Sequence, residues 1–245
     1  MTRRIGLLAS VAGIALSAPT GANAATEIGT TFDPGASFCG NMILQSASPP
    51  ADSYAAPTAG VITSWSYQAS AGPVQIKLKV GRAAGANSFL IVGESAVQVA
   101  AASSLNTFPT RISVQAGDVI GITPVTNGLP CVRAMAGYSY SAYVMGADVP
   151  PGSTATFNPP AANVQLDVSA RLEADADQDT FGDETQDQCP GTAGPQNGCP
   201  ATPVASTPTG QRASALKKCK KKAKKKHWSK KQLKKCKKKA KLLPV

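Results

Sequence analysis

Histidine is almost missing from this chain of 245 residues: the only one is His227, inside a lysine-rich stretch near the C-terminus. The body of the protein therefore has no imidazole base or ligand, which excludes His-dependent serine and cysteine proteases and most zinc hydrolases from it. Long apolar runs are also lacking. The best, Ile5 to Ala18, would be about 21 Å long as a helix, short of the roughly 30 Å hydrocarbon core of a bilayer. No transmembrane segment is expected. No cysteine directly follows the small-x-small stretch Ala22-Asn23-Ala24, where Ala25 stands, so a lipoprotein anchor is not indicated, and no helical apolar period of useful length appears ahead of the lysine-rich end. Acidic side chains stop at Asp187, whereas lysine crowds the last 35 residues.

What is there begins with a leader. Arg3 and Arg4 precede the apolar run, and Ala22-Asn23-Ala24 supplies a cleavage site, so residues 1–24 read as a signal peptide with the mature chain starting near Ala25. The paired arginines followed by Leu7 and Leu8 resemble a twin-arginine signal, although Gly6 stands where a bulky apolar residue is usual. Both general and twin-arginine export stay open. The expected location is secreted or extracellular, in association with the cell envelope.

Charge is segregated. All 14 acidic residues lie between Glu27 and Asp187, and Ala25 to Gly210 holds only six basic ones, giving that body a net charge of −8. From Gln211 onward come 16 lysines and Arg212 with no acid, a net +17. The six cysteines of an exported chain are expected to form disulfides, and six allow fifteen connectivities. The expected pairing is Cys39 with Cys131 and Cys189 with Cys199. The first would close a loop of about 93 residues and contribute on the order of 4 kcal/mol in the chain-entropy model, the second roughly 2 to 3 kcal/mol. Cys219 and Cys236 sit among ammonium groups that favour the thiolate and its oxidation. They either bridge each other or crosslink two chains.

From residue 25 to 172 the apolar residues recur with period two between turn residues, which predicts an all-β domain of about nine strands, a jelly-roll-like β-sandwich first and an immunoglobulin-like order second. Val74 to Val80 and Val164 to Leu172 show the alternation best. In Val61-Thr63-Trp65-Tyr67 the aromatics share a strand face with a valine, the ordinary signature of core. Trp65 with Tyr67, and Tyr138 with Tyr140, are the candidate platforms for a sugar should the domain be a carbohydrate-binding module.

Between Glu173 and Asp187 lie seven acidic residues and no basic one. Asp175, Asp177, Asp179 and Asp183 are spaced so that alternate carboxylates of a tight loop converge on one hard cation, which takes six to eight oxygens. Counting Asp175 as the first position, an EF-hand would need glycine at the sixth and glutamate at the twelfth, where this chain has Thr180 and Gln186. The string from Asp175 to Cys189-Pro190 instead resembles a thrombospondin type 3 repeat, D-x-D-x-D-G-x-x-D-x-x-D-x-C-P, over some 16 residues. Thr180 replaces the usual glycine and Asp187 arrives one residue late. The resemblance implies Ca2+ held by Asp175, Asp177, Asp179 and Asp183, with Asp187 as a further candidate, in residues 173–200 braced by a disulfide. Phe181 is expected to pack inward.

Pro190 to Ala215 is poor in large apolar residues, and 201–215 reads as a flexible linker. The tail, 216–245, contains an echo: Leu216 to Lys224 recurs seventeen residues later as Leu233 to Lys241. Charge this dense predicts a disordered tail. Lysine without arginine supplies point charges and no bidentate forks, so the tail should bind polyanions such as an anionic cell-wall polymer or acidic polysaccharide and read no specific nucleic acid. Trp228, beside His227, could dip into a membrane interface. Catalysis would have to rest on carboxylates of glycosidase type, Glu94 with Asp118, Asp52, Asp148 or Asp167, of which Asp118 and Glu94 read as turn or loop and Asp167 as outward-facing. The expectation is a non-catalytic adhesion or binding protein whose sandwich meets a glycan or protein ligand. A secreted carbohydrate-binding module is the alternative, ahead of a polysaccharide-acting enzyme.

Overall fold

A computed structural model describes residues 24–35, 38–70, 72–125, 129–201 and 210–243. The leader and most of the linker lie outside the described residues. The chain divides into two compact units, 1–200 and 201–245. No helix among the described residues is long and apolar enough to cross a membrane.

The first unit is an all-β sandwich. Its strands are β1 (Thr26–Thr30), β2 (Phe38–Cys39), β3 (Ile43–Ala47), β4 (Gly60–Ala69), β5 (Val74–Gly85), β6 (Ser88–Glu94), β7 (Gln98–Ala100), β8 (Ser104–Val114), β9 (Val119–Pro124), β10 (Leu129–Pro130), β11 (Val132–Ala142), β12 (Thr154–Thr156), β13 (Ala161–Leu166) and β14 (Val168–Glu173). A four-stranded sheet runs β1-β14-β4-β8; an eight-stranded one runs β12-β6-β5-β9-β3-β11-β13, with β7 also on β5; β10 and β2 pair alone. Every pairing is antiparallel.

The alternation on β5 does what period two requires: Val74, Ile76, Leu78 and Val80 enter the main core with Ile120 and Ile122 of β9, and with Val168, Ala170 and Leu172 from the smaller sheet. Each buried valine, leucine or isoleucine among them contributes roughly 1.5 to 3 kcal/mol. A second, smaller core joins Met42, Leu44, Phe89, Ile91 and Val119 to Val149 and Phe157. Beside Val149, on the polar face of β5, Lys79 is wholly buried. Its Nζ donates to the Val149 carbonyl (2.9 Å) and pairs with Glu94 and Asp148.

More strands form than the nine expected, and two differences matter. The nine-residue alternation 164–172 is one pattern but two strands: β13 belongs to the larger sheet and β14 to the smaller, and the chain crosses between them at Asp167. Asp167 does not face outward as its register implied. It is fully buried, and its carboxylate accepts hydrogen bonds from the backbone N–H of Phe32 (3.0 Å) and Gln68 (3.2 Å). Burial pushes this carboxyl up to about 8 despite those two bonds. In the second case, expected strands at 131–136 and 138–145 fuse into β11, whose register shifts between Ala134 and Ser139 around Gly137, at φ 87°.

The aromatic pairs are taken up in packing and form no open platform. A bulge between Ile62 and Ser64 puts Ile62, Trp65, Tyr67 and Ala69 into the main core, out of phase with Val61 and Thr63. Trp65 and Tyr67 present almost no surface, and the Tyr67 hydroxyl donates to the Pro130 carbonyl (2.5 Å). Tyr138 is buried with its hydroxyl on Asp52 (2.8 Å), and Tyr140 packs against the same core.

The second unit departs most from expectation. The tail is not disordered: α1 (Gln211–Lys225) and α2 (Lys230–Ala240) pack together, so helix also takes the last residues assigned to the linker. Lysine, alanine and leucine are good helix formers, and Ser229 with Gln232 forms a capping box that starts α2. The sequence echo places leucine, cysteine and alanine at i, i+3 and i+7 in both helices, on one stripe of each. Cys219 and Cys236 are joined by a disulfide, Cys219 and Ala240 are buried, and the lysines other than half-buried Lys237 are exposed to water, where their repulsion is screened.

Candidate metal centre

The acidic segment is anchored to the smaller sheet by a residue whose role its composition does not reveal. Glu173, the last residue of β14, is buried. One of its oxygens accepts from the Thr63 hydroxyl (2.9 Å), Arg171 Nε (3.0 Å) and the Thr185 hydroxyl (2.8 Å), while the other accepts from the backbone N–H of Glu184 (3.1 Å) and Thr185 (2.9 Å). Burial would raise its carboxyl, but the hydrogen bonds from Thr185 and Thr63 with those of the backbone and Arg171 outweigh it and hold the group below the usual carboxylate range. Gln186 Nε2 also donates to the Thr110 carbonyl on β8 (2.7 Å), and the Arg111 guanidinium lies 4.1 Å over the Phe181 ring, which is half-buried beneath it. Glu173→Ala would leave several donors without an acceptor. It is expected to cost about 3 kcal/mol or more in urea unfolding, with cation affinity falling in parallel.

On this foundation the loop gathers its carboxylates. One oxygen each from Asp175, Asp177 and Asp179 lie within 4.8 Å of one another. Backbone N–H groups hold the other contacts: Asp179 and Thr180 donate to Asp175 (3.0 Å each), Phe181 and Gly194 to Asp179 (3.0 Å each), and Gly191 to Asp177 (3.1 Å). Thr180, where the repeat pattern has glycine, adopts φ 75°, and Gln178 adopts φ 61°. A glycine would take the Thr180 conformation without strain.

Asp183 and Asp187 are both buried but lie outside that triad. Asp183 receives the Ala176 N–H on both oxygens (3.2 and 3.3 Å). Asp187 accepts from the Cys189 N–H through Oδ1 (2.7 Å), whereas its Oδ2 and Asp177 Oδ1 are buried with no hydrogen-bond partner. Such oxygens cost free energy unless a cation or donor meets them. Asp187 also packs against the glycine of the disulfide loop: a Cβ at Gly198 would come within 1.7 Å of Asp187 Oδ1. The Cys189–Cys199 disulfide closes that loop. Burial, then the negative charges of Asp179, Asp177 and Asp183, raise the Asp187 carboxyl, and burial followed by Asp179 and Asp177 raises that of Asp175. The donor set is oxygen alone, in a loop that leaves three buried oxygens unpaired, those two and Gln186 Oε1. That fits a hard divalent cation.

The other candidate carboxylates are engaged elsewhere. Glu94 and Asp148 share Lys77 and Lys79, with Lys77 Nζ at 3.0 Å and 2.5 Å respectively. Asp118 is buried and binds Arg82 through Nε (2.7 Å) and Nη2 (2.8 Å). Asp52 holds Tyr138 and Asp167 spans the sheet crossing. A cleft of about 640 Å³ opens beside the triad, lined by Arg82, Val92, Ser113, Gln115, Asp175 and Gln178 among others. Glu173 and Gly198 are the positions packed against the loop that the spacing of the aspartates does not single out. No sequence signal marks the first, because its partner Thr63 lies 110 positions away in the chain.

No protein-family model, curated protein or solved structure matches this chain.

Proposed function

We propose that this is an exported, non-catalytic protein that displays a β-sandwich, stiffened by Ca2+ in a thrombospondin type 3-like loop, and is retained on an anionic polymer of the cell envelope by its lysine tail. The observation that carries the cation is the pair of unpartnered buried carboxylate oxygens, Asp177 Oδ1 and Asp187 Oδ2, in a loop whose other aspartate oxygens accept backbone N–H groups. Asp175, Asp177 and Asp179 would hold the ion, with Asp187 a stronger fourth candidate than Asp183, whose oxygens already share the Ala176 N–H. The ion neutralises mutual repulsion and ties the disulfide loop to the sheet through Glu173. The non-catalytic reading rests on the engagement of Glu94, Asp118, Asp148 and Asp167 in ion pairs or backbone hydrogen bonds. The cleft beside Asp175 is where a glycan or protein ligand of the sandwich would sit.

Attachment is tested by incubating washed cell envelopes with the full-length protein and with a form ending at Pro200. The full chain is expected to be retained and to be released by about half-molar salt, as counterion-release binding requires. Equal retention of the shortened form would contradict the role given to the tail.

A further inference from the structure

We infer that the lysine hairpin binds double-stranded nucleic acid outside the cell, without regard to base sequence. This deepens the reading of the tail as a polyanion anchor and rests on it.

The tail is helical, and its charges sit on two packed helices. Sixteen lysines lie between Lys217 and Lys241, eight from each copy of the echoed segment with its flanks, and all but the half-buried Lys237 are exposed. Extended, those 25 residues would span about 80 Å and carry one charge per roughly 5 Å. Folded as α1 against α2 and locked by Cys219–Cys236, the same charges occupy a rod about 22 Å long, one per roughly 1.4 Å. Duplex DNA carries one negative charge per about 1.7 Å of axis. A polyuronate, with one carboxylate per sugar ring, is far sparser. Folding therefore moves the tail from the charge spacing of an acidic polysaccharide to that of a duplex.

Shape agrees with charge. On each helix the leucine, cysteine and alanine stripe is covered, with Ala215 and Lys237 half-buried beside it, and the other lysines are exposed. The major groove, about 12 Å wide, admits one α-helix and is rimmed by phosphates on both sides. A lysine-clad helix there meets phosphates to left and right. Lysine is a point charge on a flexible stem, and the helix surfaces offer it almost throughout, so contacts go chiefly to phosphates and position the protein without specifying sequence.

The test uses the full-length, disulfide-intact protein and a labelled duplex of about 30 base pairs, followed by fluorescence anisotropy, with polygalacturonate as competitor at matched charge. The expected results are a preference of about tenfold or more for the duplex, affinities within about twofold for two unrelated sequences, and a slope of log K against log salt near −7, as when half the lysines engage. The Cys219→Ser/Cys236→Ser double variant, whose helices are no longer locked, should still bind both polymers but lose most of that preference. Equal competition by polygalacturonate, a strong sequence preference, or an undiminished preference in the double variant would overturn the inference. Binding to neither polymer would overturn the anchor reading itself.

Discussion

Millimolar calcium is expected to raise the thermal unfolding midpoint of the β-sandwich unit by roughly 5 to 10 °C over its value in a chelator. A ligand present at about a hundred times its dissociation constant stabilises the state it binds by about 2.7 kcal/mol, and a domain of this size gains about 2 to 4 °C per kcal/mol. The gain should reach the whole sandwich because the loop is not an appendage: Glu173, Gln186 and Phe181 bind it to β14, β4 and β8. Asp177→Asn separates the electrostatics from the packing. Without calcium the variant should equal or exceed the parent in stability, since one of several crowded negative charges is gone. With calcium it should fall well below the parent. Differential scanning calorimetry in both conditions reads the two effects, and an unchanged calcium shift in the variant would contradict the ligand assignment.

The second large effect concerns pH and lies at the other end of β14. Asp167, where the chain leaves one sheet for the other, keeps its proton up to about pH 8 in the folded protein because it is buried, whereas an unfolded carboxyl loses it near 4. Between those values the folded state binds more protons than the unfolded one, so stability contributed through this group is full below about pH 4, declines as pH rises, and levels off above 8. At about 1.4 kcal/mol per unit, the decline amounts to roughly 5 kcal/mol. Asp175 and Asp187 in the calcium-free loop are shifted in the same direction. Urea unfolding in chelator at pH 5 and pH 8.5 should therefore show the protein more stable at the acid value. A protein more stable at pH 8.5 would refute the buried, protonated Asp167.

The sandwich was legible because period two is a physical requirement of a half-buried strand, and β5 obeys it in full. The same rule misled at Asp167: alternation reports which side of the chain is buried, not whether neighbouring residues hydrogen-bond within one sheet. Trp65 does lie in the core, as its apolar face implied, but the bulge at Thr63 changes phase and takes it out of step with Val61, which no sequence pattern marks. Lys79 stands on the polar side of β5 as expected, yet Glu94, Asp148 and the carbonyl of Val149 cover it. The loop carboxylates could be read from their spacing, but their platform could not, because Glu173 reaches Thr63 across 110 positions of chain. In the tail the echo was visible and its meaning was not. A repeated stripe of leucine, cysteine and alanine is weak evidence of packing until a disulfide holds two such stripes together.

The claim on which the account turns is that the loop from Asp175 to Asp187 holds a calcium ion through oxygens the protein itself leaves unpaired. Titration calorimetry of the full-length chain with calcium, run beside Asp177→Asn, tests it directly. The account predicts a saturable heat corresponding to calcium taken up by the parent loop and its loss in the variant; no heat from the parent, or the same heat from both, would contradict it.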